Sequence, residues 1–413
     1  MPYSDQDRDI LRTLAARYMA HADLPVHRRK LELWKALNRG RMERPMVNID
    51  QLPWNELMPD GCEAARISDP FWSGVGWQLC RALYQWENFP ADMVLEPYVN
   101  IPSAVHNSGY GVQAQVEAVS LHPGSSAPGQ RYTPVLSQPD DVQKIKDFVI
   151  THDEAESQRR LQEAEAIFGG VAPVRLRHGA TSFNLGIWDF LNQVMGAEAI
   201  YIDILDRPDF IHALLTRAAD AVMAGIRQAN QLRVFDDLSS ICHCSHTYTD
   251  ELLPDFGQGK GSVSANCWAF GLAQLFTAVS PAVFEEFELP YITRMAREYG
   301  AIYYGCCDRM DDRLEHAKKI PNVRKISCSP WSDRVNFANR IGPRLVMSVK
   351  PSPTFLSIYS ETAIRDDLIN YRELAKSAGV NMEFILKDVS TVQFEPARLK
   401  RWAEIAMEVV DGF

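Results

Sequence analysis

Apolar and polar positions along the chain follow two periods, and together they predict helices that alternate with short strands. Leucines and aromatic residues recur at helical spacing over residues 4–39, which predicts a helical stretch that ends before Gly40. Further helices are predicted at 139–168, 181–195, 208–231, 280–299, 311–319, 361–379 and 396–410. Short apolar runs predict eight strands, at 46–49, 93–101, 174–179, 262–268, 301–307, 323–329, 344–349 and 382–388.

Eight strands separated mostly by helices indicate an α/β fold, and eight is the number that closes a TIM-like (β/α)8 barrel. We expect residues 1–45 to form an N-terminal helical extension and residues 46–413 to form the barrel. Insertions over the barrel mouth are expected at about 102–135, where residues 113–121 alternate like an edge hairpin, and at 241–261. A doubly wound open sheet is the alternative, but no glycine-rich dinucleotide loop follows the first strand.

Composition narrows the function classes. The formal net charge of −10 argues against nucleic acid as a partner, because phosphate binding needs a basic surface. The amino end is charged and helical rather than signal-like, and no apolar run reaches the roughly eighteen residues of a membrane span. Eight cysteines in so long a chain are too few for a disulfide framework, so we expect a reducing, cytoplasmic setting.

The most unusual stretch is AIYYGCCDRM at 301–310, in which an apolar run ends in a glycine and two adjacent cysteines. Thiolates at a strand end, beside Asp308, suit a metal or an electrophilic carbon. The alternative is that Cys306 and Cys307 pack as small hydrophobic residues, because free cysteines are often buried. We predict catalytic roles for Cys306 and Asp308.

In a parallel barrel the chemistry occurs at the carboxyl ends of the strands. Lys387 and Asp388 follow the eighth strand and His178 ends the third, so we predict catalytic roles for all three. Predicted substrate-binding residues lie at other strand ends or in the second insertion, and they are Asn266, Trp268, Trp331, Lys350 and His246. The alternatives are a core histidine, core packing of the aromatic rings, and a structural pair between Lys387 and Asp388.

The second insertion contains ICHCSH, in which two cysteines and two histidines have compact ligand spacing. These residues are Cys242, His243, Cys244 and His246. Their order is not that of a standard zinc finger, and no second CxxC accompanies them. A surface loop with incidental cysteines and histidines, or a lid over the barrel mouth, are the alternatives.

Three segments resemble a known family. The run RRKLELWKALNRGRMERPMVNID (28–50) resembles the opening segment of the uroporphyrinogen decarboxylase superfamily. The run SVSANCWAFGLAQLFTAVSPAVFEEFELPY (262–291) is similar to its fourth strand and following helix, and ISCSPWSD (326–333) is like its sixth-strand segment. The segments occur in the order of the superfamily, which implies a TIM barrel.

The resemblance is closer to one branch of that superfamily than to the other. True uroporphyrinogen decarboxylases carry an arginine-rich motif after the first strand, whereas QLPWNELMPDG follows it here and the next arginine is Arg66. The other branch contains zinc-dependent methyltransferases that work with corrinoid proteins; its fifth strand ends His-x-Cys, and its last strand supplies a second cysteine. Cys306 matches the fifth-strand cysteine, while Tyr304 stands at the histidine position. Lys387 and Asp388 lie near the position of the last cysteine.

The resemblance therefore implies a methyltransferase, acting as a demethylase, that moves a methyl group between a small molecule and a corrinoid. The corrinoid, a cobalamin, would be carried by a partner protein, and a homodimer is also implied. Zinc is the implied metal, with Cys306, Cys307 and Glu383 as predicted ligands. Two alternatives stay open: a cofactor-free decarboxylase or lyase whose Lys350 and Lys387 hold a small carboxylic acid, and a corrinoid- or tetrapyrrole-binding module.

Overall fold

The structure, a computed structural model, describes residues 3–119, 129–179, 184–236, 240–252, 262–358 and 360–413. Its helices are α1 (Asp5–Ala22), α2 (Val26–Asn38), α3 (Trp54–Leu57), α4 (Pro70–Asn88), α5 (Glu154–Phe168), α6 (Ile187–Met195), α7 (Ala197–Asp206), α8 (Pro208–Leu232), α9 (Pro281–Phe287), α10 (Leu289–Ala296), α11 (Leu314–Ala317), α12 (Arg334–Ile341), α13 (Thr354–Ile358), α14 (Glu361–Ala378) and α15 (Pro396–Asp411). Short 3₁₀ helices lie at Glu63–Arg66, Pro139–Lys144, Ser264–Asn266 and Gln274–Ala278. Among the described residues, no helix combines the length and the apolar character needed to cross a lipid bilayer.

The strands are β1 (Met46–Ile49), β2 (Val99–Pro102), β3 (Val105–Asn107), β4 (Gln115–Val119), β5 (Gly129–Thr133), β6 (Ile150–His152), β7 (Val174–Arg177), β8 (Ile241–Cys242), β9 (Ser245–His246), β10 (Trp268–Gly271), β11 (Ala301–Tyr304), β12 (Val323–Cys328), β13 (Val346–Val349) and β14 (Asn381–Leu386). Six of them form one curled parallel sheet, in the order β1, β14, β13, β12, β11 and β10. The first and last strands of the chain are neighbours in this sheet, with Met46 opposite Glu383. Strands β2 and β7 form a separate parallel pair.

These eight strands correspond to the eight predicted from the sequence. The α/β class and the parallel sheet are therefore confirmed. In the described part of the chain, no ladder joins the β2–β7 pair to the six-stranded sheet, so closure of a full eight-stranded barrel stays a prediction. Helices lie between the consecutive strands from β10 to β14, as parallel connections require.

The strands of the large sheet are buried along their length, apart from the first two residues of β12. A parallel sheet is covered on both faces, so its strands read as continuous apolar runs rather than as an alternation. Outer helices follow the expected start and stop signals. For example, the Ser360 side chain caps the first turn of α14, and Gly379 ends that helix with a φ of 65°.

Two predicted strands are shorter or displaced. Of the predicted strand 93–101, only the end belongs to β2, which begins at Val99. Strand β10 begins at Trp268, where the prediction ended. The preceding segment is a 3₁₀ helix because Ser264 exchanges two hydrogen bonds, of 2.8 and 3.0 Å, with the Asn230 side chain of α8.

The predicted helix at 139–168 is wrong in its first half. A 3₁₀ helix and strand β6 occupy that half, because β6 pairs antiparallel with β3. Asp153 then caps α5. The predicted helix at 280–299 is two helices, α9 and α10, which meet at Glu288 just before Pro290, whose nitrogen carries no hydrogen to donate.

Other helices differ less. Residues 4–39 form two helices separated by Asp23–Pro25, and only α11 forms within 311–319. Helix α6 begins at Ile187, and residues 181–183 of its predicted range lie outside the described residues. The predictions at 208–231, 361–379 and 396–410 agree with α8, α14 and α15 to within one residue at each end.

Both predicted insertions contain hairpins. Strands β4 and β5 pair antiparallel, which confirms the hairpin of the first insertion, whose tip at 120–128 lies outside the described residues. In the second insertion, β8 and β9 form a two-residue hairpin. Residues 253–261 of that insertion are likewise outside the described residues.

Candidate functional site

The two adjacent cysteines lie in a turn at the carboxyl end of β11. Gly305 follows the strand with a φ of 85°, a left-handed conformation that glycine adopts without strain. Asp308 Oδ1 then accepts a hydrogen bond from the Cys306 N–H at 2.8 Å. As a result, the sulfurs of Cys306 and Cys307 are 3.6 Å apart, although neighbouring residues of a strand would point to opposite faces.

The end of β14 brings a cation and a carboxylate to these thiols. Lys387 Nζ lies 2.9 Å from Cys306 Sγ, and Asp388 Oδ2 accepts a hydrogen bond from the Cys307 thiol at 2.8 Å. Lys387 and Asp388 also form an ion pair of 2.9 Å. Because β12 and β13 separate β11 from β14 in the sheet, their ends can meet only across the interior of a curled sheet.

A histidine from the second insertion completes the cluster. His243 occupies the turn between β8 and β9 with a φ of 55°, and its ring stacks on Phe270 with centroids 3.9 Å apart. Its Nε2 lies 3.5 Å from Cys306 Sγ and 3.3 Å from Lys387 Nζ. We call these residues the thiol centre: Cys306, Cys307, His243, Lys387 and Asp388.

The hairpin that carries His243 is fixed to the rest of the protein by buried hydrogen bonds. Asn48 in β1 donates to the Cys244 carbonyl at 2.9 Å, and Asn38 in α2 donates to the His246 carbonyl at 3.2 Å. Two short strands alone would be marginally stable, so these bonds from α2 and β1 hold the histidine in place.

The electrostatics of the thiol centre favour a thiolate at Cys306. A hydrogen bond with Cys307, together with His243 and the positive charge of Lys387, holds the pKa of Cys306 well below its usual range, although burial acts in the opposite direction. The same contact with Cys306, and burial, raise the pKa of Cys307. Burial lowers the pKa of His243, but hydrogen bonds with Cys244 and Cys306 outweigh it and raise that pKa to about 9. Cys306 is therefore the member of the pair that favours the charged thiolate form.

Glu383, a predicted metal ligand, lies in a different cluster. Its Oε2 accepts from Lys325 Nζ at 2.6 Å and from Ser245 Oγ at 2.8 Å, while its Oε1 accepts from Ser348 Oγ at 2.6 Å. Glu383 and Lys325 are fully buried. These partners hold Glu383 away from the thiol centre, and Asp388 takes its place in the candidate ligand set.

Lys350, a predicted substrate-binding residue, belongs to the same buried cluster as Glu383. Its ammonium donates to Ser348 Oγ at 2.6 Å and to the Tyr303 hydroxyl, which also shares a hydrogen bond of 2.9 Å with Ser348. Lys350 is 2% exposed, so its side chain is enclosed within the protein. We call these residues the inner network: Lys325, Glu383, Ser245, Ser348, Lys350 and Tyr303.

The other predicted catalytic residues are placed as follows. His178 is buried, and its Nδ1 lies 3.2 Å from Ser103 Oγ. Burial lowers the pKa of His178, which favours the neutral ring. Asp308 is buried beneath the thiols, where burial raises the pKa of its carboxyl. Asp308 Oδ2 has no hydrogen-bond partner within the described structure.

The remaining predicted substrate-binding residues do not lie together. Trp268 is buried at the start of β10, and Asn266 precedes it in a 3₁₀ helix. Trp331 is 71% exposed. His246 is buried with its Nδ1 3.1 Å from the Ser240 carbonyl, and burial lowers the pKa of His246 to about 4.

A cavity of about 670 Å³ lies beside the thiol centre and is lined by residues of β2, β8 and β10 and of the end of β7. His243 and Phe270 form the wall nearest the thiols, and Trp268 continues that wall. The lining also contains polar side chains, among them Arg177 and His178. Ligand pockets commonly have volumes of about 300–1,000 Å³, so a small organic molecule fits here.

The sequence resemblance implies zinc, and the donor atoms of the thiol centre fit that ion in kind. One ligand atom each from Cys306, Cys307 and Asp388 lies within 4.8 Å of the other two. His243 Nε2, 3.5 Å from Cys306 Sγ, adds an imidazole. Two thiolates, one imidazole and one carboxylate make a donor set of the type and number that tetrahedral zinc takes. Lys387 contacts the same atoms and would have to turn aside.

The sequence prediction includes His243 in the ICHCSH cluster but selects only His246 from it, and it does not count Asp388 among the candidate metal ligands. The cysteine–histidine cluster was the available sequence signal for a residue near the thiols. Nothing in the sequence indicates which residue of that cluster reaches the ends of β11 and β14.

Comparison with known proteins supports the fold. The sequence matches no protein-family model and no curated protein. Among solved structures, a methyltransferase from Methanosarcina mazei is similar, with a TM-score of 0.51 over 91% of this chain and 97% of that one. The two sequences are 12% identical. At that identity the likeness establishes a shared fold, and membership of the uroporphyrinogen decarboxylase superfamily stays a prediction.

Proposed function

We propose that this protein is a methyltransferase that moves a methyl group between a small molecule in the 670 Å³ cavity and a corrinoid carried by a partner protein. The observation that carries the proposal is the thiol centre, in which Cys306 is held by Lys387 at 2.9 Å and by His243 at 3.5 Å beside that cavity. The shared fold with a methyltransferase supports the same reaction class.

We further propose that Cys306, Cys307, His243 and Asp388 bind zinc. Zinc held by these residues would supply a Lewis acid for the heteroatom bonded to the methyl group. A corrinoid on the partner protein would supply the nucleophile for the methyl carbon, and the heteroatom would leave with the electron pair of the broken carbon–heteroatom bond.

The protein's own residues position these groups. Gly305 and Asp308 shape the turn that points both sulfurs the same way. Phe270 holds the His243 ring by stacking and presents an apolar wall to the cavity. Lys387 balances the thiolate charge from the side, which keeps Cys306 deprotonated before a metal arrives.

The decarboxylase alternative receives less support from the geometry. It requires Lys350 and Lys387 to hold a substrate carboxylate, but Lys350 is enclosed in the inner network with Ser348 and Tyr303. Lys387 is already engaged with Cys306 and Asp388.

The test combines metal analysis with a methyl-transfer assay. We expect close to one zinc per chain in the purified protein, and loss of that zinc together with transfer from a labelled methyl donor to cobalamin in Cys307→Ala. The matched control is Cys328→Ala, because Cys328 is another free cysteine of the same sheet and belongs to none of the candidate metal-ligand groups among the described residues. Equal zinc content in Cys307→Ala and the control would contradict the zinc site, and absence of transfer across a panel of methyl donors would contradict the reaction.

A further inference from the structure

The two sulfurs of the thiol centre are close enough to bond to each other. The Sγ atoms of Cys306 and Cys307 are 3.6 Å apart, and a disulfide bond is about 2.05 Å long, so closure needs a movement of about 1.5 Å. The turn that brings the sulfurs together is already formed, because Gly305 has a φ of 85° and Asp308 Oδ1 accepts from the Cys306 N–H at 2.8 Å. No change of backbone direction is therefore needed to join them.

The two cysteines have different partners, which give them different roles in an oxidation. Cys306 Sγ lies 2.9 Å from Lys387 Nζ and 3.5 Å from His243 Nε2, and such neighbours stabilise the thiolate, which is the form of cysteine that reacts with peroxides. Cys307 instead donates its thiol hydrogen to Asp388 Oδ2 at 2.8 Å, so a carboxylate is in place to accept that proton. A thiolate next to a second, resolving thiol is typical of redox-sensing cysteines.

Exposure of the pair favours a small oxidant. Cys306 is 6% exposed and Cys307 is half-buried, so a hydroperoxide reaches these sulfurs more readily than a bulky disulfide does. Cys62 and Cys80 provide a comparison within the same chain, because their sulfurs lie within 4.8 Å of each other. Burial and the contact with Cys62 raise the pKa of Cys80 to about 12, so this second pair should react more slowly with peroxide.

We propose that Cys306 and Cys307 are a redox modification site, at which a small hydroperoxide converts the dithiol, when it holds no metal, into a disulfide between the two neighbouring residues. The Cα atoms of adjacent residues are about 3.8 Å apart, which is less than the usual span of about 4.4–6.8 Å, so this bond would be strained and easily reduced. Strained disulfides are the labile, regulatory ones. The inference rests on the proposed function only in its consequence, which is that the disulfide removes two of the four proposed zinc ligands.

The oxidation takes two steps. The Cys306 thiolate attacks one oxygen of hydrogen peroxide, an S–O bond forms and the O–O bond breaks; the products are a sulfenic acid and hydroxide, which becomes water with the proton that the thiol had released. The Cys307 sulfur then attacks Cys306 Sγ, an S–S bond forms and the S–O bond breaks. The Cys307 proton passes through Asp388 to the departing hydroxide, which gives a second water. The two sulfurs thus lose two electrons to the peroxide, and an external dithiol returns them by forming its own disulfide.

The experiment treats the full-length protein with a chelator, then with hydrogen peroxide, and alkylates the remaining thiols after denaturation. The tryptic peptide 298–309 contains Cys306 and Cys307 and no other cysteine. We expect this peptide to escape alkylation and to lose the mass of two hydrogen atoms, at least about tenfold faster than Cys62 and Cys80 are oxidised, because the rate follows the thiolate fraction. Dithiothreitol should restore both thiols.

Variants separate the two steps. Cys307→Ala should stop at the sulfenic acid of Cys306, which dimedone traps. Asp388→Asn keeps an oxygen that accepts from the thiol but cannot take its proton, so the ratio of trapped sulfenic acid to disulfide should rise at least about tenfold. Cys328→Ala is the control, because Cys328 is another free cysteine of the same sheet, and it should leave the oxidation of the peptide unchanged.

Three results would overturn the inference. These are full alkylation of peptide 298–309 after peroxide treatment, oxidation of native Cys306 to the sulfinic acid without a disulfide, and oxidation no faster than that of Cys62 and Cys80. A disulfide that forms in a protein whose reduced state binds no zinc would preserve this inference and remove the proposed zinc site. Zinc binding by a protein whose peptide resists oxidation would do the reverse, so the two failures are distinguishable.

Discussion

The thiol centre and the inner network both draw residues from β11, from β14 and from the β8–β9 hairpin, or from the turns that follow them, but they differ in how completely their polar atoms are satisfied. Each contains a lysine paired with a carboxylate: Glu383 lies in β14, and Asp388 lies five residues later, just beyond the end of that strand. In the inner network, Glu383 accepts three hydrogen bonds and both members of its ion pair are 0% exposed. In the thiol centre, the Asp388 side chain is 47% exposed, and Cys307 is only half-buried.

This difference indicates a structural role for the inner network and a chemical role for the thiol centre. A buried charge whose partners are all present helps to hold the β-strands in register. Removing one partner leaves the other charge unpaired in a low-dielectric interior, which is destabilising. A cluster with a thiolate, an open carboxylate and an adjoining cavity can still accept a metal or a substrate. Changes in the inner network should therefore reduce stability, whereas changes in the thiol centre should reduce metal binding and activity.

The largest expected effect comes from breaking the inner ion pair. Lys325→Met leaves the Glu383 carboxylate buried without its cation, and we expect a loss of about 3–5 kcal/mol in the free energy of unfolding. Chemical denaturation measures it. The control is Lys319→Met, which removes a lysine of similar chemistry from the exposed pair with Glu285 and should have no measurable effect. Similar stability of the two variants would contradict the structural role of the inner network.

The next effect is the response of His246 to acid. Its pKa is lowered by burial to about 4, below the unfolded value of about 6.5, so the folded state resists protonation. Above pH 6.5 the ring is neutral in both states and this stability is fully present. As the pH falls towards 4, the unfolded state binds a proton that the folded state does not, so the free energy of unfolding decreases by up to about 3 kcal/mol. Unfolding measured across this range should show the loss in the native protein and a smaller one in His246→Gln. Equal slopes of the free energy of unfolding against pH in the two proteins would contradict this effect of His246.

A smaller effect tests the turn that aligns the sulfurs. Gly305→Ala places a side chain at a φ of 85° and a new Cβ 3.3 Å from that of Ser327, so we expect a loss of about 1–2 kcal/mol and a loss of zinc. Gly379→Ala is the matched control, because its φ is 65° and its new Cβ meets nothing within 4 Å. It should lose comparable stability and keep its zinc. Equal zinc content in the two variants would contradict the role of the Gly305 turn in zinc binding.

The smallest effect is expected at Asp308, beneath the thiols. Asp308→Asn keeps the oxygen that accepts from the Cys306 N–H and removes a buried carboxyl whose pKa is already raised by burial. We expect a change within about 1 kcal/mol in the free energy of unfolding and unchanged zinc content. A large loss of activity with the fold intact would instead support the catalytic role predicted for Asp308 from the sequence.

The sequence was a good guide where periodicity and strand order decide the result. Apolar runs located the strands of the large sheet other than β10, and the rule that parallel strands present their carboxyl ends at one edge placed Cys306 with Lys387. Local hydrogen bonds overrode the periodic signal in two places: the pairing of β6 with β3, and the turn held by Ser264 and Asn230.

The parts of the candidate site that were missed depend on tertiary contacts. Glu383 and Lys387 both belong to the end of the chain, but only the sheet register shows that Glu383 lies opposite Ser348, deep in the interior. His243 reaches Cys306 because its hairpin is held by Asn38 and Asn48, which are about two hundred residues away in the sequence. No periodic pattern contains that information.

The central claim is that two thiolates, one imidazole and one carboxylate of the thiol centre form a zinc site. X-ray absorption at the zinc edge of the purified protein tests it most directly. The account predicts two sulfur ligands at about 2.3 Å and two nitrogen or oxygen ligands at about 2.0–2.2 Å, with one sulfur lost in any zinc retained by Cys307→Ala. A zinc shell without sulfur, or a shell that Cys307→Ala leaves unchanged, would contradict it.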